Sequence, residues 1–175
     1  MSRRRAPELR RIVVIRHAKS SWSDPSLADF DRPLSKRGRN ALSGLRDHIE
    51  DLALRPDLVM CSSSRRTRET LEGITPALGR KARVDSDSAL YGADAEMLLT
   101  KLQRLDDQIT TVFLIGHNPG LADLVDLLAD PATAAVAIES FPTAAVAVLS
   151  VAGPWSGLRR SCASLESFWA PRQQG

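Results

Sequence analysis

Apolar positions along this chain recur with two periods. Unbroken runs at 11–15 (RIVVI), 57–61 (DLVMC) and 111–115 (TVFLI) read as strands buried on both faces. Between them the spacing turns helical. Segment 34–54 brings Leu34, Ala41, Leu45, Ile49 and Leu52 round to one side, and 65–78 reads as a helix stopped by Gly79. A short strand is expected at 82–85. A helix follows at 94–105, where Met97, Leu98, Lys101, Leu102 and Leu105 repeat, and another at 120–129. Two more strands are expected at 143–151 and 163–170, the second alternating as a strand near a sheet edge does.

Strand and helix in turn imply a three-layer α/β/α sandwich with a mostly parallel central sheet. With neither internal repeat nor low-complexity linker, residues 11–170 are expected to form one domain. Residues 1–10 then form a basic, flexible amino-terminal tail and 171–175 a short tail at the other end. Ligands of open α/β sheets bind outside the carboxyl ends of the strands, so those ends come next.

Three of them carry chemistry. The first strand runs into Arg16 and His17, a fixed cation beside a titratable imidazole. The second runs into 61–70 (CSSSRRTRET), hydroxyls and arginines at a helix start, and the third into 116–120 (GHNPG), a second histidine in a turn. Taken singly, each has a structural explanation: a solvated arginine, a packed histidine, a turn. Jointly they form a constellation, because all three fall at one rim. His48 lies inside a helix and is read as a surface or packing residue.

Composition removes competing classes. A chain of 175 residues with 43% hydrophobic and 26% charged residues suits one globular domain, and no apolar stretch approaches the roughly 20 residues that span a bilayer. The net charge is only +3, with neither a long basic stripe nor stacking aromatics, so no nucleic-acid partner is expected. Cys61 and Cys162 are too few for a disulfide framework or a four-cysteine metal site; Cys61 reads as a buried small residue. A cytoplasmic protein without membrane partner is expected.

RHAKSSW (16–22), SSSRRTRET (62–70) and GHNPG (116–120), in this order, resemble the signature blocks of the histidine phosphatase superfamily, the phosphoglycerate mutase-like fold. With DFDRPLSKRG (29–38), the chain is most similar to the SixA-like phosphohistidine phosphatase branch. The resemblance implies that His17 is the nucleophile that becomes phosphorylated and that Arg16 holds phosphate oxygens. It implies that Arg66 is the second clamp, reached by aligning Ser62 and Thr70 with the ends of the family block, and that His117 faces the phosphate from the opposite wall. Arg32 and Asn118 would be further members of the substrate pocket. No cofactor and no metal are implied.

Transferring phosphoryl groups spread negative charge over three oxygens, which planar guanidinium forks grip. Attack by His17 requires a neutral imidazole, and the flanking arginines are expected to lower its pKa, while its other nitrogen donates to a carbonyl. Two departures from the family pattern stand out: Ala18 replaces the signature glycine, and Ser63 stands where proline is usual. The carboxylic acid of the family's other branches has no evident counterpart, with Asp94, Glu96 or no residue as the alternatives. A phosphohistidine asks less of an acid than an ester does. A metal-independent hydrolase acting on a phosphorylated protein is therefore expected; a small-molecule phosphomonoesterase or a non-catalytic phosphate-binding module are the alternatives.

Overall fold

The computed structural model describes residues 9–134 and 140–172. Six strands, β1 (Leu9–Arg16), β2 (Leu58–Ser62), β3 (Arg83–Asp87), β4 (Thr111–Gly116), β5 (Val146–Ala152) and β6 (Ala163–Trp169), form one sheet in the order β3-β2-β4-β1-β5-β6. Strands β3, β2, β4 and β1 are parallel; β5 runs against both β1 and β6. The sheet is thus mostly parallel, and the alternating strand β6 lies at its edge, as the sequence predicts.

Successive side chains of a strand point to opposite faces, and the core divides accordingly. On one face Val13, Ile15, Phe113 and Ile115 pack with Leu45 and Ile49 of α1 (Lys36–Asp51) and Ile74 and Leu78 of α2 (Arg65–Leu78). On the other, Ile12, Val14, Val112 and Leu114 meet Leu98 and Leu102 of α3 (Ala95–Gln103) and Leu124 and Leu128 of α4 (Gly120–Leu128). The central strands have no solvated face, which is why they read as continuous apolar runs. These are the expected three layers.

Several boundaries differ from the sequence expectation. The first strand begins at Leu9, and Arg10 is buried with bonds to Gly153 O (2.6 Å) and to Asp107, so residues 9 and 10 belong to the sheet rather than to a tail. Residues 1–8 and 173–175 lie outside the described residues. The first helix starts at Lys36 because Ser35 caps it, its hydroxyl accepting from Gly38 N at 3.0 Å. Residues 143–145 precede β5 rather than forming it: Ala144 has φ +62° and its N–H reaches the Arg16 and His17 carbonyls.

The first turn of α1 is docked on the loop after β1. Lys19 O accepts from Ser35 N (2.8 Å) and from Ser35 Oγ (3.1 Å), and a Cβ at Gly38 would collide with that same carbonyl. A Cβ at Gly44, two turns on, would meet nothing. Glycine-to-alanine changes inside helices ordinarily stabilise by about 0.5–1 kcal/mol. Gly44→Ala is expected to do so, whereas Gly38→Ala is expected to destabilise by about 1–3 kcal/mol, as overpacking against backbone does. Urea unfolding of the two variants checks this; equal stabilities would contradict the close approach.

Candidate active site

Parallel register builds the centre of the site. Arg16 pairs with Gly116, so the next residues on each strand are His17 and His117. His17 N donates to Gly116 O at 3.2 Å, and the two imidazole centroids lie 5.2 Å apart. From the neighbouring strand, Ser62 Oγ lies 2.8 Å from His117 Nε2, and Ser64 Oγ is 3.4 Å from the same nitrogen.

The orientation of His17 is set by its own chain. Its Nδ1 lies 2.7 Å from Ala18 O, and a carbonyl only accepts, so Nδ1 carries the proton and Nε2 is left as a base. Arg66 Nε donates to that Nε2 at 3.3 Å. Thr70 Oγ1 accepts from Ala18 N (3.0 Å) and donates to Arg66 O (2.7 Å), tying α2 to the loop that carries the histidine.

Both histidines are held neutral. The His17 pKa is pushed down to about 3, first by burial, opposed by the Ala18 hydrogen bond, and then by the charges of His117, Arg66 and Arg16. Sequence reasoning assigned this effect to the arginines; burial is the larger cause. Burial and then Arg66 push His117 down to about 4.

Arg66 is the arginine that the fold turns inward. It is 6% exposed and, besides touching His17, donates from one terminal nitrogen to Asp29 O (2.6 Å) and from the other to Asp29 Oδ2 (3.0 Å). Arg65 instead forms an exposed ion pair with Glu69 at 2.8 Å, and Arg68 bonds Ser63 O on the surface. The block alignment that selects Arg66 therefore agrees with the geometry.

Asp29 is a site residue that sequence reasoning did not single out. It accepts from Tyr91 Oη (2.6 Å) and Arg32 (2.8 Å) as well as Arg66. These hydrogen bonds, with the Tyr91 hydroxyl first, hold its carboxyl well below the usual carboxylate range, so it stays ionised. The signal available in the sequence was only its place in the 29–38 segment, since the partners are far apart along the chain. Arg32 is buried, bonds Ser20 Oγ (2.7 Å) and Ser21 O (2.9 Å), and stacks on the exposed ring of Trp22 at 3.1 Å.

Around His17 opens a pocket of about 320 Å³ whose walls include Arg16, Lys19, Arg32, Arg66, His117 and Asn118. All six expected site residues are thus brought together, and the described residues that line the pocket include four cations and no carboxylate. Arg16 and Asn118 both donate to Phe141 O, at 2.9 and 2.8 Å. Among the described residues Arg16 Nε is buried without a partner, a condition that costs about 1–3 kcal/mol and that an oxyanion's acceptors would offset. Asp94 caps α3, accepting from Met97 N at 2.8 Å, and neither it nor Glu96 lines the pocket. Cys61 is buried with its thiol pushed up to about 12, and His48 stacks on Trp169 at 4.7 Å, so both are packing residues. Among the described residues no cluster of three potential metal ligands occurs.

A family model for the histidine phosphatase superfamily, branch 1, matches residues 12–96. The chain belongs to the histidine phosphatase superfamily. Its members are phosphatases, and in this chain His17, His117, Arg16 and Arg66 line one pocket. The match ends before His117, which the β1–β4 register supplies. An uncharacterised protein of Mycobacterium tuberculosis is 38% identical over 90% of this chain and its own full length. The phosphoglycerate mutase-like fold is shared with two structures solved under the provisional name phosphohistidine phosphatase SixA. The one from Nakamurella multipartitia has a TM-score of 0.81 and 24% identity, covering 95% of this chain and 99% of its own. The one from Agrobacterium tumefaciens has a TM-score of 0.77 and 28% identity, covering 93% and 99%. Among the described residues, no helix of this histidine phosphatase is long and apolar enough to cross a membrane.

Two outcomes are expected from this geometry. Arg66→Lys should lower kcat/KM by at least about a hundredfold, because an ammonium cannot reproduce the planar fork, whereas Arg65→Lys removes only a surface pair worth about 0.2–1 kcal/mol. A larger loss at Arg65 would contradict the clamp. The second outcome concerns pH. Because the folded His17 pKa of about 3 lies below the ordinary 6.5, the unfolded chain binds a proton in that window that the native protein does not. Stability should therefore rise with pH from about 3 to 6.5, by up to about 1.4 kcal/mol per unit from this group. His17→Asn should flatten the slope measured by urea unfolding across that range; an unchanged slope would show that His17 is not held neutral.

Proposed function

We propose that this chain is a metal-independent protein phosphohistidine phosphatase of the cytoplasm, working through a phosphorylated His17. The observation that carries the reading is the unprotonated Nε2 of His17, fixed by the Nδ1–Ala18 bond, at a pocket whose described lining residues include four cations and no carboxylate. The names of the SixA neighbours support the same substrate class.

In the first step His17 Nε2 attacks phosphorus, a P–N bond forms to it, and the P–N bond to the substrate imidazole breaks. Arg16 and Arg66 neutralise the charge that spreads over the equatorial oxygens, and His117 lines the opposite wall. Water then attacks the phosphoenzyme, releasing phosphate and returning His17 to its neutral form. Arg66 Nε, which touches His17 Nε2 in the free protein, exchanges that contact for a phosphate oxygen as the new bond forms.

The leaving group decides the substrate class. An alkoxide must be protonated as it departs, whereas an imidazole protonated on its second nitrogen leaves as a neutral base. Among the described residues Asp29 is the carboxylate paired with Arg66, and hydrogen bonds from the Tyr91 hydroxyl first, then Arg32 and Arg66, keep it ionised, so it is not a proton donor. The Tyr91 hydroxyl is committed to Asp29, and that contact pushes its pKa up.

Single-turnover rates on phosphohistidine protein, phosphoramidate, p-nitrophenyl phosphate and an alkyl phosphate test the reading. Phosphohistidine is expected to react fastest, p-nitrophenyl phosphate slowly and the alkyl ester scarcely. Asp94→Asn and Glu96→Gln should leave the phosphohistidine rate within a few-fold, against the about 10²–10⁴-fold that a general acid contributes. Faster turnover of the alkyl ester would move the small-molecule phosphomonoesterase reading ahead, and no turnover of any would leave a phosphate-binding module.

A further inference from the structure

Beside the catalytic pocket lies a second, larger depression of about 780 Å³, and the two share Lys19 and Thr143 in their walls. One wall is α1. Lys36, Asn40 and Ser43 follow each other at helical spacing, as do Arg37, Ala41 and Gly44, so the first two turns present two charged residues and then small ones to the groove. From Lys36 to Gly44 the helix rises about 12 Å, the length of about four residues of extended chain. Trp169 at the end of β6 also lines the groove, and its ring is stacked on His48 of the same helix and so is fixed in place.

The groove is basic. Lys19, Lys36, Arg37 and Arg172 are all exposed, and among the described residues no aspartate or glutamate lines it. None of the described carboxylates forms an ion pair with Lys19, Lys36 or Arg172. A compact phosphate ester is accommodated by the smaller pocket and has no use for this extension. An extended chain with negative charges beside its phosphorylated residue has use for both. The join at Lys19 is rigid, since the carbonyl of that residue is the one held by Ser35 and approached by Gly38.

We infer that this groove binds an acidic segment of the phosphoprotein flanking its phosphohistidine, and that it sets the preference among protein substrates. The inference rests on the phosphohistidine phosphatase reading and is tested separately from it. Two short peptides carry one histidine flanked either by glutamates or by glutamines. Each is used phosphorylated, as substrate, and unphosphorylated with a fluorescein label, for anisotropy. Wild-type protein should show kcat/KM about tenfold or more higher for the acidic phosphopeptide, with the preference fading as salt rises.

Gly44→Glu places a carboxylate in the groove where a Cβ meets no other atom, and Lys36→Glu reverses one wall charge. Each should bring the acidic peptide down to the rate of the neutral one while leaving phosphoramidate turnover unchanged. Equal rates for the two peptides in the wild type, or a preference that survives both variants, would overturn the groove. If phosphoramidate is hydrolysed and neither phosphopeptide is, the substrate reading fails, and anisotropy still decides the groove: selective binding of the acidic peptide, lost in Gly44→Glu, supports it, and equal binding overturns it. Tighter, Gly44→Glu-sensitive binding of an oligonucleotide than of the acidic peptide would overturn it as well.

Discussion

The hydrogen bond from His17 Nδ1 to Ala18 O, 2.7 Å long and closed within one dipeptide, decides which nitrogen can react. A neutral imidazole has one donor and one acceptor nitrogen, and fixing the donor fixes the acceptor. Burial, the larger influence on this ring, keeps it neutral, so it is a base at every pH near neutrality. The surrounding structure is arranged about that ring. Thr70 holds the Ala18 amide from one side and α2 from the other, so the proposed nucleophile, His17, and the proposed clamp, Arg66, are tied through a single hydroxyl.

Cations crowd the pocket, and Asp29 pairs with two of them. Arg16, Arg32 and Arg66 repel one another and a charged histidine alike, and burial and Arg66 together lower the Arg16 pKa. Asp29 neutralises Arg32 and Arg66 from outside the pocket, leaving their positions fixed before substrate arrives. Fixed donors aimed at a site of developing charge need no reorganisation when the reaction occurs. The Tyr91 hydroxyl and these two pairs keep Asp29 ionised and so remove it as an acid, which agrees with the proposed phosphohistidine substrate, whose leaving group asks little of one.

The central strands and α2 are legible in the sequence because one physical condition, burial on both faces or on one helical face, determines them locally. Gly79, with φ +80°, ends α2 where the pattern stops. His17 and His117 are legible for a related reason: parallel strands bring their carboxyl ends to one rim, so residues distant in the chain meet by register; among Arg65, Arg66 and Arg68, only the family resemblance singles out Arg66. The reversal of β5 is not legible, since an apolar strand reads the same in either direction. Asp29 and Tyr91 meet only through loops, and nothing local to either residue signals the 2.6 Å contact between them. Arg10 was read with the basic tail because its charge was visible and its partners, Asp107 and Gly153, were not.

The central claim is that phosphate passes through Nε2 of His17. Rapid acid-free quenching of the wild-type protein with phosphoramidate, followed by site mapping and phosphorus NMR, identifies both the residue and the ring nitrogen. The geometry requires base-stable, acid-labile phosphate on His17 as the Nε2 isomer, because Nδ1 is occupied by Ala18 O. Phosphate on Nδ1, or on His117, would contradict the account directly.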